Sequence, residues 1–456
     1  MEASDTVKKG AKLGNALRYG DIWTRLSFFL LGLSNIVRGQ IAKGLAFLGL
    51  ETAFITYMAR AGMESLKNMA TLGTREQSMV FDEKEGIFIV LRGDNSMLIL
   101  LYGVVAIFVI LFFVMFWISA VKSGYKAQLN HEKSRRQPLF GDELRDLLDG
   151  NLHKTLLFLP VLGLVLFTVV PLLYMILMAF TNYDVNHQPP GKLFDWVGLQ
   201  NFHVLLNAGQ TISKTFWPVL GWTMIWAVFA TFTNYIFGML LAILINSKGI
   251  SGKKIWRTIF VITIAVPAFA TLLGIRLMLG EMGAINILLQ NMGLIDSPLP
   301  FLTDALWAKV TVIIVNMWVG IPHTMLITTG ILMNIPADIY ESARIDGANA
   351  FTVFRRITLP YMIFVTTPYL ITQFIANINN FSVIYFLTRG NPISLDYFKG
   401  AGKTDLLVTW LYKLTRDSKD YNFAATIGII IFIISATFSI IVYRRSNAFK
   451  NEEALR

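Results

Sequence analysis

Two sets of polar residues recur at helical spacing inside long apolar stretches of the sequence. The sets are Asn316, Gly320 and His323, and then Gln373, Asn377 and Asn380. Residues three or four positions apart share one face of a helix, so each set predicts a polar stripe on an apolar helix. Amides donate and accept hydrogen bonds without carrying charge, and two facing stripes would suit a ligand with many hydroxyl groups, such as a sugar. The alternatives are hydrogen bonds between helices without a ligand and, for His323, a packing role.

The elements that must position these residues are membrane spans. Of the 456 residues, 54% are hydrophobic and 15% are charged, and the mean hydropathy is +0.55. Soluble domains carry about a quarter charged residues, so the composition predicts an integral membrane protein. A span needs about 20 apolar residues, and such runs lie near 42–60, 97–120, 155–180, 217–246, 257–279, 307–333, 362–385 and 422–443. The sequence therefore predicts an all-α fold with eight transmembrane helices.

The distribution of basic residues predicts how these spans are oriented. Most of the 40 Lys and Arg residues lie in the two terminal segments and in the loops on the same side as them. The positive-inside rule therefore places the N and C termini and the segment 334–360 in the cytoplasm. The same rule accounts for the net charge of +11 without a nucleic-acid partner. A shorter apolar stretch, 25–37, is flanked by Arg25 and Arg38 and predicts a helix lying in the membrane interface.

The sequence predicts no catalytic, metal or nucleotide site, so we expect a chain that is no enzyme and binds no cofactor or metal. Cysteine is absent, and the five histidines lack metal-ligand spacing, namely His131, His153, His187, His203 and His323. The segment 400–404 ends like a phosphate-binding loop, but Tyr397 stands where that loop needs its first glycine. Glu51 is the only carboxylate near the centre of a predicted span, and it and Arg276 fit packing or interface roles better than a proton relay.

The segment 334–360 predicts an ordered helix–turn–helix between two spans. Asn334 could cap a first helix, and Asp346 with Gly347 is a turn signal. A second helix would carry an apolar face, made of Phe351, Phe354 and Ile357, before Pro360 opens the next span. Its polar side mixes acids with bases, whereas helices that rest on lipid are rich in Lys and Arg. The segment therefore predicts a docking element that needs a partner to bury its apolar side chains.

The same segment resembles the EAA coupling loop of bacterial ABC-importer permeases. The family pattern is Glu-Ala-Ala, three residues, Gly, nine residues and Ile-x-Leu-Pro. The matching residues are Glu341, Ser342, Ala343, Gly347, Ile357, Leu359 and Pro360, with Asp346 directly before the glycine. Ser342 replaces the first alanine of the pattern, which is a small-for-small change. The resemblance implies that this loop inserts into a cleft on a separate ATP-hydrolysing subunit and transmits its closure to the membrane helices.

The resemblance extends to the segments 195–202, 316–325, 377–392 and 402–413, which look like the larger type of maltose/maltodextrin permease. It implies two N-terminal spans within residues 1–154 and a six-helix type I permease core within 155–456. The sugar contacts of that family match Asn316, Gly320, Asn377 and Asn380. His323 and Ala376 stand where the family usually has aromatic residues. Some members carry a large folded domain in the loop after the third span, and here that loop is only 181–216.

The resemblance also implies partners and a location. We expect a second permease subunit forming a heterodimer, two ATP-binding subunits that hold ATP and Mg, and an extracellular or periplasmic sugar-binding protein. The substrate would be maltose, maltodextrin or a related oligosaccharide, and the chain would lie in the bacterial cell (inner) membrane. Two other classes stay open, a secondary sugar transporter that works without an ATPase and a membrane scaffold that transports nothing. The first would need intramembrane carboxylates and internal repeats, which the sequence does not show.

Overall fold

Long apolar runs fold into long helices because a helix satisfies its own backbone hydrogen bonds and leaves its apolar side chains facing outward. The computed structural model describes residues 12–83, 86–138, 140–247 and 249–445. The chain divides into two compact units at the boundary between Val197 and Gly198. The termini that we expect in the cytoplasm, 1–11 and 446–456, lie outside the described residues. The division of the chain between residues 154 and 155 stays a prediction.

The described part of the first unit consists of helices and one β-hairpin. The helices are α1 (Leu13–Tyr19), α2 (Ile22–Leu26), α3 (Leu33–Val37), α4 (Ile41–Thr71), α5 (Ser96–Glu132), α6 (Phe140–Leu148) and α7 (Leu152–Met178). Strands β1 (Ser78–Asp82) and β2 (Ile87–Leu91) pair antiparallel between α4 and α5. This hairpin is an addition to the predicted all-α fold.

The second unit is helical, and α9 lies at its centre. The helices are α8 (Gln200–Leu206), α9 (Thr211–Asn246), α10 (Lys253–Ala265), α11 (Ala268–Met278), α12 (Ala284–Asn291), α13 (Ala305–Leu332), α14 (Ala337–Ile345), α15 (350–378), α16 (Phe381–Leu387), α17 (Leu407–Arg416) and α18 (Tyr421–Arg445). Helix α9 packs along α13 and α15. Its buried Phe216 belongs to a core with α15, α17 and α18, and its buried Trp226 to a core with α11, α13 and α16.

Seven described helices are long and apolar enough to cross a membrane, and α10 with α11 makes an eighth candidate. These candidates agree with the eight predicted spans. The fifth, predicted at 257–279, is not one straight helix, because α10 and α11 meet at 89°. Val266 leaves α10 in an extended conformation and Pro267 stands directly before α11. A proline disfavours helical geometry in the residue before it, which explains the break.

The predicted interfacial helix at 25–37 is wrong as a single helix. A turn separates α2 from α3, and Gly32 in that turn has φ +80°, a backbone angle that glycine adopts without strain. Backbone N–H and C=O groups in the turn have no helical hydrogen bonds and need other hydrogen-bond partners. The buried side chain of Glu51 on α4 accepts the backbone N–H of Leu31 at 2.8 Å. Glu51 therefore has a structural partner within the first unit.

Two membrane-length helices contain a widened π-helical turn directly before a proline. The turn Val165–Val169 precedes Pro171 in α7, and the turn Phe354–Thr358 precedes Pro360 in α15. Proline has no N–H for the helical ladder and its ring crowds a carbonyl of the preceding turn, so a wider turn lets the helix continue. The expectation that Pro360 opens a new span is therefore wrong, because α15 already begins before it.

Asp94 fastens the base of the hairpin just before α5. Its carboxylate accepts the backbone N–H groups of Thr74 at 2.9 Å and Arg75 at 3.1 Å. These two hydrogen bonds favour the charged form and hold the pKa of the Asp94 carboxyl below its usual value. The strands themselves carry exposed apolar side chains, including Phe88 at 68% exposure. The Asp94 carboxylate therefore stabilises the base of the hairpin, a role that buried apolar side chains have elsewhere in the fold.

Candidate ligand cavity and coupling segment

The first predicted polar stripe lies on α13 and faces α9 at its centre. Asn316 is 4% exposed, and its Nδ2 has no hydrogen-bond partner among the described residues. Gly320 lies against Asn234 of α9, where any side chain would overlap the Asn234 amide. His323 is exposed, and its ring centroid is 6.4 Å from that of Tyr369. The stripe thus runs from a buried amide, past a close contact between helices, to an exposed imidazole.

The second predicted stripe begins in the last turns of α15. Asn377 is buried, and its Nδ2 donates a hydrogen bond to Oγ1 of Thr231 on α9 at 3.0 Å. The backbone carbonyl of Asn377 accepts the indole N–H of Trp226 at 3.0 Å. Gln373, one turn earlier, is partly buried. These contacts fix the Asn377 amide between helices, as the packing alternative requires, and they bring it beside Gln373.

Asn380 does not share the helical face of Gln373 and Asn377, so the predicted stripe is shorter than its spacing suggests. Helix α15 ends at Ile378, and the Asn380 side chain caps α16 by accepting the backbone N–H of Val383 at 3.2 Å. Asparagine is favoured at such positions because its short amide replaces the missing backbone acceptor. Asn380 therefore lies beyond the end of the helix, and its side-chain oxygen is already bonded.

A small cavity lies where α9, α13 and α15 meet, with a volume of about 10 Å³. The polar residues that line it are Thr231, Asn234, Tyr235, Thr324, Tyr369, Gln373 and Asn377. None of these described lining residues is charged, and Oδ1 of Asn234 has no hydrogen-bond partner among the described residues. A cavity of this volume holds about one water molecule, or one hydroxyl group of a sugar in its place. Its lining can bind hydroxyl groups and offers nothing to a charged ligand.

The spacing argument missed five polar residues of this cavity. They are Thr231, Asn234 and Tyr235 of α9, Thr324 of α13 and Tyr369 of α15. The hydroxyls of Thr324 and Tyr369 are 3.2 Å apart and link the two helices that carry the predicted stripes. Asn234 was detectable, because it is the one amide in the middle of the apolar run 217–246. A single amide within a span indicates a functional position as strongly as a polar stripe does, because polar groups are costly inside a membrane.

The segment 334–360 has the expected helix–turn–helix, formed by α14 and the start of α15. Gly347 in the turn has φ +78°, and no heavy atom lies within 4 Å of where its Cβ would be. Backbone conformation alone therefore selects glycine there. The hydroxyls of Tyr340 and Thr358, 3.2 Å apart, tie the two arms together. The Asn349 side chain caps α15 by accepting a backbone N–H at 2.8 Å.

Two details of this segment differ from prediction. Asn334 does not cap α14, because Pro336 occupies the position before the first helical residue. Phe351, Phe354 and Ile357 do not form one face, since the π-helical turn changes the register of α15 after Val353. Phe354 packs against the membrane helices, whereas Phe351 is 68% exposed.

The other predicted coupling residues lie around this turn, mostly at the surface. Glu341, Ser342, Asp346 and Pro360 are exposed, and Ala343, Ile357 and Leu359 are partly buried. Beside them, Ile345 is 87% exposed. Exposed apolar side chains next to charged ones are typical of a surface that another protein covers. The coupling role of these residues stays a prediction.

The candidate spans of the described residues define a class of protein: multi-pass helical membrane proteins. Residues 234–449 match the family described as "Binding-protein-dependent transport system inner membrane component". Over 434 residues the chain is 37% identical to "Maltodextrin transport system permease protein MalC" of Streptococcus pneumoniae, covering 92% of this chain and 95% of that protein. The chain belongs to this family of ABC-importer permeases.

Further relatives and solved structures agree with this assignment. The chain is 34% identical to the maltodextrin permease MdxF and 33% identical to the galactooligosaccharide permease GanP, both of Bacillus subtilis. These matches cover 93% and 92% of this chain and 95% and 96% of the relatives. A chain of a bacterial ABC transporter that imports the polysaccharide alginate shares the fold, with a TM-score of 0.53 and 22% identity, over 67% of this chain and 98% of that one.

Family membership gives the chain its general role and location. Permeases of this family are the membrane subunits of ABC importers, which receive their cargo from a binding protein and leave ATP hydrolysis to separate subunits. The chain is therefore a multi-pass permease subunit of the bacterial cell (inner) membrane. The secondary transporter and the scaffold find no support in these comparisons.

Proposed function

We propose that the chain imports an oligosaccharide of the maltodextrin type and forms half of a two-permease pathway. The observation that carries the proposal is the uncharged cavity of amides and hydroxyls between α9, α13 and α15. Such groups pair with sugar hydroxyls and leave no charge buried, which a neutral ligand requires. Three relatives that match almost their full length are named for maltodextrin or galactooligosaccharide transport, which supports a sugar of more than one ring.

The proposed sugar contacts are the predicted residues together with one addition. The set is Asn316, Gly320, His323, Gln373, Asn377 and Asn380, with Asn234 added. Nδ2 of Asn316 and Oδ1 of Asn234 are a buried donor and a buried acceptor, and neither has a partner among the described residues. Each unmet group of this kind costs about 1–3 kcal/mol. A sugar hydroxyl can donate to one and accept from the other, so binding would remove that cost.

The proposed drive comes through the segment 334–360. Its coupling residues would be Glu341, Ser342, Ala343, Asp346, Gly347, Ile357, Leu359 and Pro360. Two partner subunits would bind ATP and Mg, and this chain would catalyse no reaction itself. A second permease would complete the pathway as a heterodimer, and an extracellular or periplasmic binding protein would deliver the sugar. The exposure of Ile345 and Phe351 beside the turn supports a protein partner at this place.

The experiment compares Asn377→Leu with Thr231→Val in the complete complex, reconstituted in lipid vesicles with ATP on the side of the ATP-binding subunits. Both substitutions remove the bond between Asn377 and Thr231, but only the first removes the amide. We expect Asn377→Leu to lower uptake of maltotriose by about three- to tenfold, the equivalent of one or two hydrogen bonds. Thr231→Val removes one hydroxyl of the lining and keeps the amide, so it should lower uptake less than Asn377→Leu does.

The two variants also show which part of the proposal fails. Equal losses in both variants, together with loss of the assembled complex, would show that Asn377 only packs helices. Uptake by the parent complex in the absence of ATP would contradict the driven mechanism. A parent complex that takes up other solutes but none of a panel of neutral oligosaccharides would contradict the substrate class.

A further inference from the structure

An open cleft of about 540 Å³ lies in the second unit, and the chain that follows α15 lines it. The residues that define its chemistry are Tyr385, Arg389, Asn391, Tyr412, Arg416 and Asp417. Helices α15 and α16 form one candidate membrane span, which begins in the coupling segment. The cleft therefore lies at the opposite end of that span from the coupling segment, on the side from which an importer receives its cargo.

The charges around the cleft are largely compensated. Lys413 pairs with the fully buried Asp405 at 2.6 Å, and Lys399 donates to the buried Asp420 at 2.7 Å. Arg416 has Asp417 as its neighbour in the lining. Two of the four cations that line the cleft are thus paired with buried carboxylates. The guanidinium groups of Arg389 and Arg416 and the Asn391 amide are planar donors that can bind the hydroxyl groups of a neutral ligand.

Aromatic rings connect the cleft with the proposed sugar contacts. Phe381 directly follows Asn380 and stacks on Tyr385, with ring centroids 4.7 Å apart. Tyr385 meets Tyr412 of α17 edge to face at 5.3 Å. The hydroxyl of Tyr412 accepts a hydrogen bond from Arg416 at 2.6 Å, which fixes the ring at the cleft wall. Rings held in this way present flat apolar surface beside polar groups, which matches the two-sided character of a sugar ring.

We propose that this cleft is an outer subsite for the trailing rings of a long oligosaccharide whose leading end enters the cavity of amides. The proposal rests on the proposed function and adds a preference for chain length to it. Sugar rings stack on Tyr385 and Tyr412, and Asn391 and Arg389 bind their hydroxyls. The volume suits several sugar rings, since clefts of roughly 300–1,000 Å³ hold ligands of that size. On this proposal a trisaccharide held at the cavity leaves the cleft free, whereas a longer chain occupies both.

The first experiment measures occupancy of the cleft directly. The chain contains no cysteine, so Arg416→Cys places a single thiol at an exposed position of the lining. The complex is assembled with cysteine-free partner chains and without binding protein, and its maleimide labelling rate is measured with maltoheptaose or maltotriose. Leu395→Cys is the matched control, because Leu395 is fully exposed in the loop between α16 and α17 and does not line the cleft. We expect maltoheptaose to slow labelling at position 416 at least about threefold and to leave position 395 unchanged. Equal rates at 416 with and without maltoheptaose, or equal slowing at both positions, would overturn the proposal.

The second experiment measures the consequence for transport. Tyr385→Leu and Tyr412→Leu remove the rings but keep most of the volume, whereas Tyr385→Phe and Tyr412→Phe keep the rings. We expect the leucine variants to raise KM for maltoheptaose by about three- to tenfold, with maltotriose uptake within about twofold of the parent and the phenylalanine variants near the parent. Parallel losses for both sugars would overturn the subsite and leave the proposed function standing. Absence of oligosaccharide uptake in the parent would remove the proposed function and the subsite with it.

Discussion

Replacing Gly347 by valine changes the backbone preference of the coupling turn without adding a steric clash. Gly347 has φ +78°, and a Cβ at this position would meet no heavy atom within 4 Å. The cost therefore comes from the backbone alone, at about 1–3 kcal/mol for a side chain held in the left-handed region. A cost of that size lowers the ratio of the native turn to its alternatives by about 5- to 150-fold. The substitution adds no clash with the membrane helices, because the new Cβ meets no heavy atom within 4 Å.

The assay is uptake by the reconstituted complex, measured beside the amount of assembled permease in the vesicles. We expect Gly347→Val to lower uptake at least about fivefold while the permease stays in the membrane and keeps its thermal stability. Gly347→Asn is the matched control, because asparagine adopts left-handed angles far more readily than valine. Recovery of at least half of the parent uptake by Gly347→Asn would confirm that the backbone angle matters. Equal uptake by the valine variant and the parent would refute the reasoning, since the turn would then tolerate either conformation.

Three further predictions concern contacts elsewhere. Gly320→Ala should lower the free energy of unfolding by about 1–3 kcal/mol, because the new Cβ overlaps the Asn234 amide. Adding Asn234→Ala should restore the lost stability. A double variant no more stable than Gly320→Ala in a thermal-shift assay would exclude that contact as the cause. Asp405→Asn leaves Lys413 half of a broken buried pair and should cost about 3–5 kcal/mol, so a thermal midpoint equal to the parent's would contradict it. The pKa of Asp94 is lowered in the folded protein, so this carboxylate stabilises the hairpin fully above the pKa that it has in the unfolded chain. The stabilisation is lost as the pH falls through the lower, folded pKa, so acid should speed hydrogen exchange of the hairpin amides. The same pH profile in Asp94→Asn would contradict this.

The membrane spans could be predicted because their main determinant is local. A run of about 20 apolar residues is enough to specify a span, whatever surrounds it. The limits of a helix are less local, and α5 continues to Glu132, well past the apolar run 97–120. Its polar last turns pack against the N-terminal segment, and hydropathy does not record such contacts. Pro267 could have indicated the break between α10 and α11, because proline inside an apolar run ends or kinks a helix.

The two parts of the functional region differ in how far the sequence specifies them. The turn at Gly347 could be predicted from its residues alone, since glycine after aspartate favours a positive φ. The cavity depends on which helices meet, and the partner of Asn377 is Thr231, 146 positions away. Spacing along one helix cannot show such a partner. It also fails at Asn380, where the helix ends before the expected periodicity does.

Because α15 is one continuous helix, a small movement at its exposed end displaces its other end. The helix runs from residue 350 to 378 without a break, which at about 1.5 Å per residue makes a rod of about 40 Å. A tilt of about 5° about the exposed end would displace the far end by about 3.5 Å, more than the length of a hydrogen bond. The bond between Asn377 and Thr231, 3.0 Å long, is at that far end. A shift too small to unfold the turn at Gly347 would therefore be enough to exchange the hydrogen-bond partner of an amide at the other end of the helix.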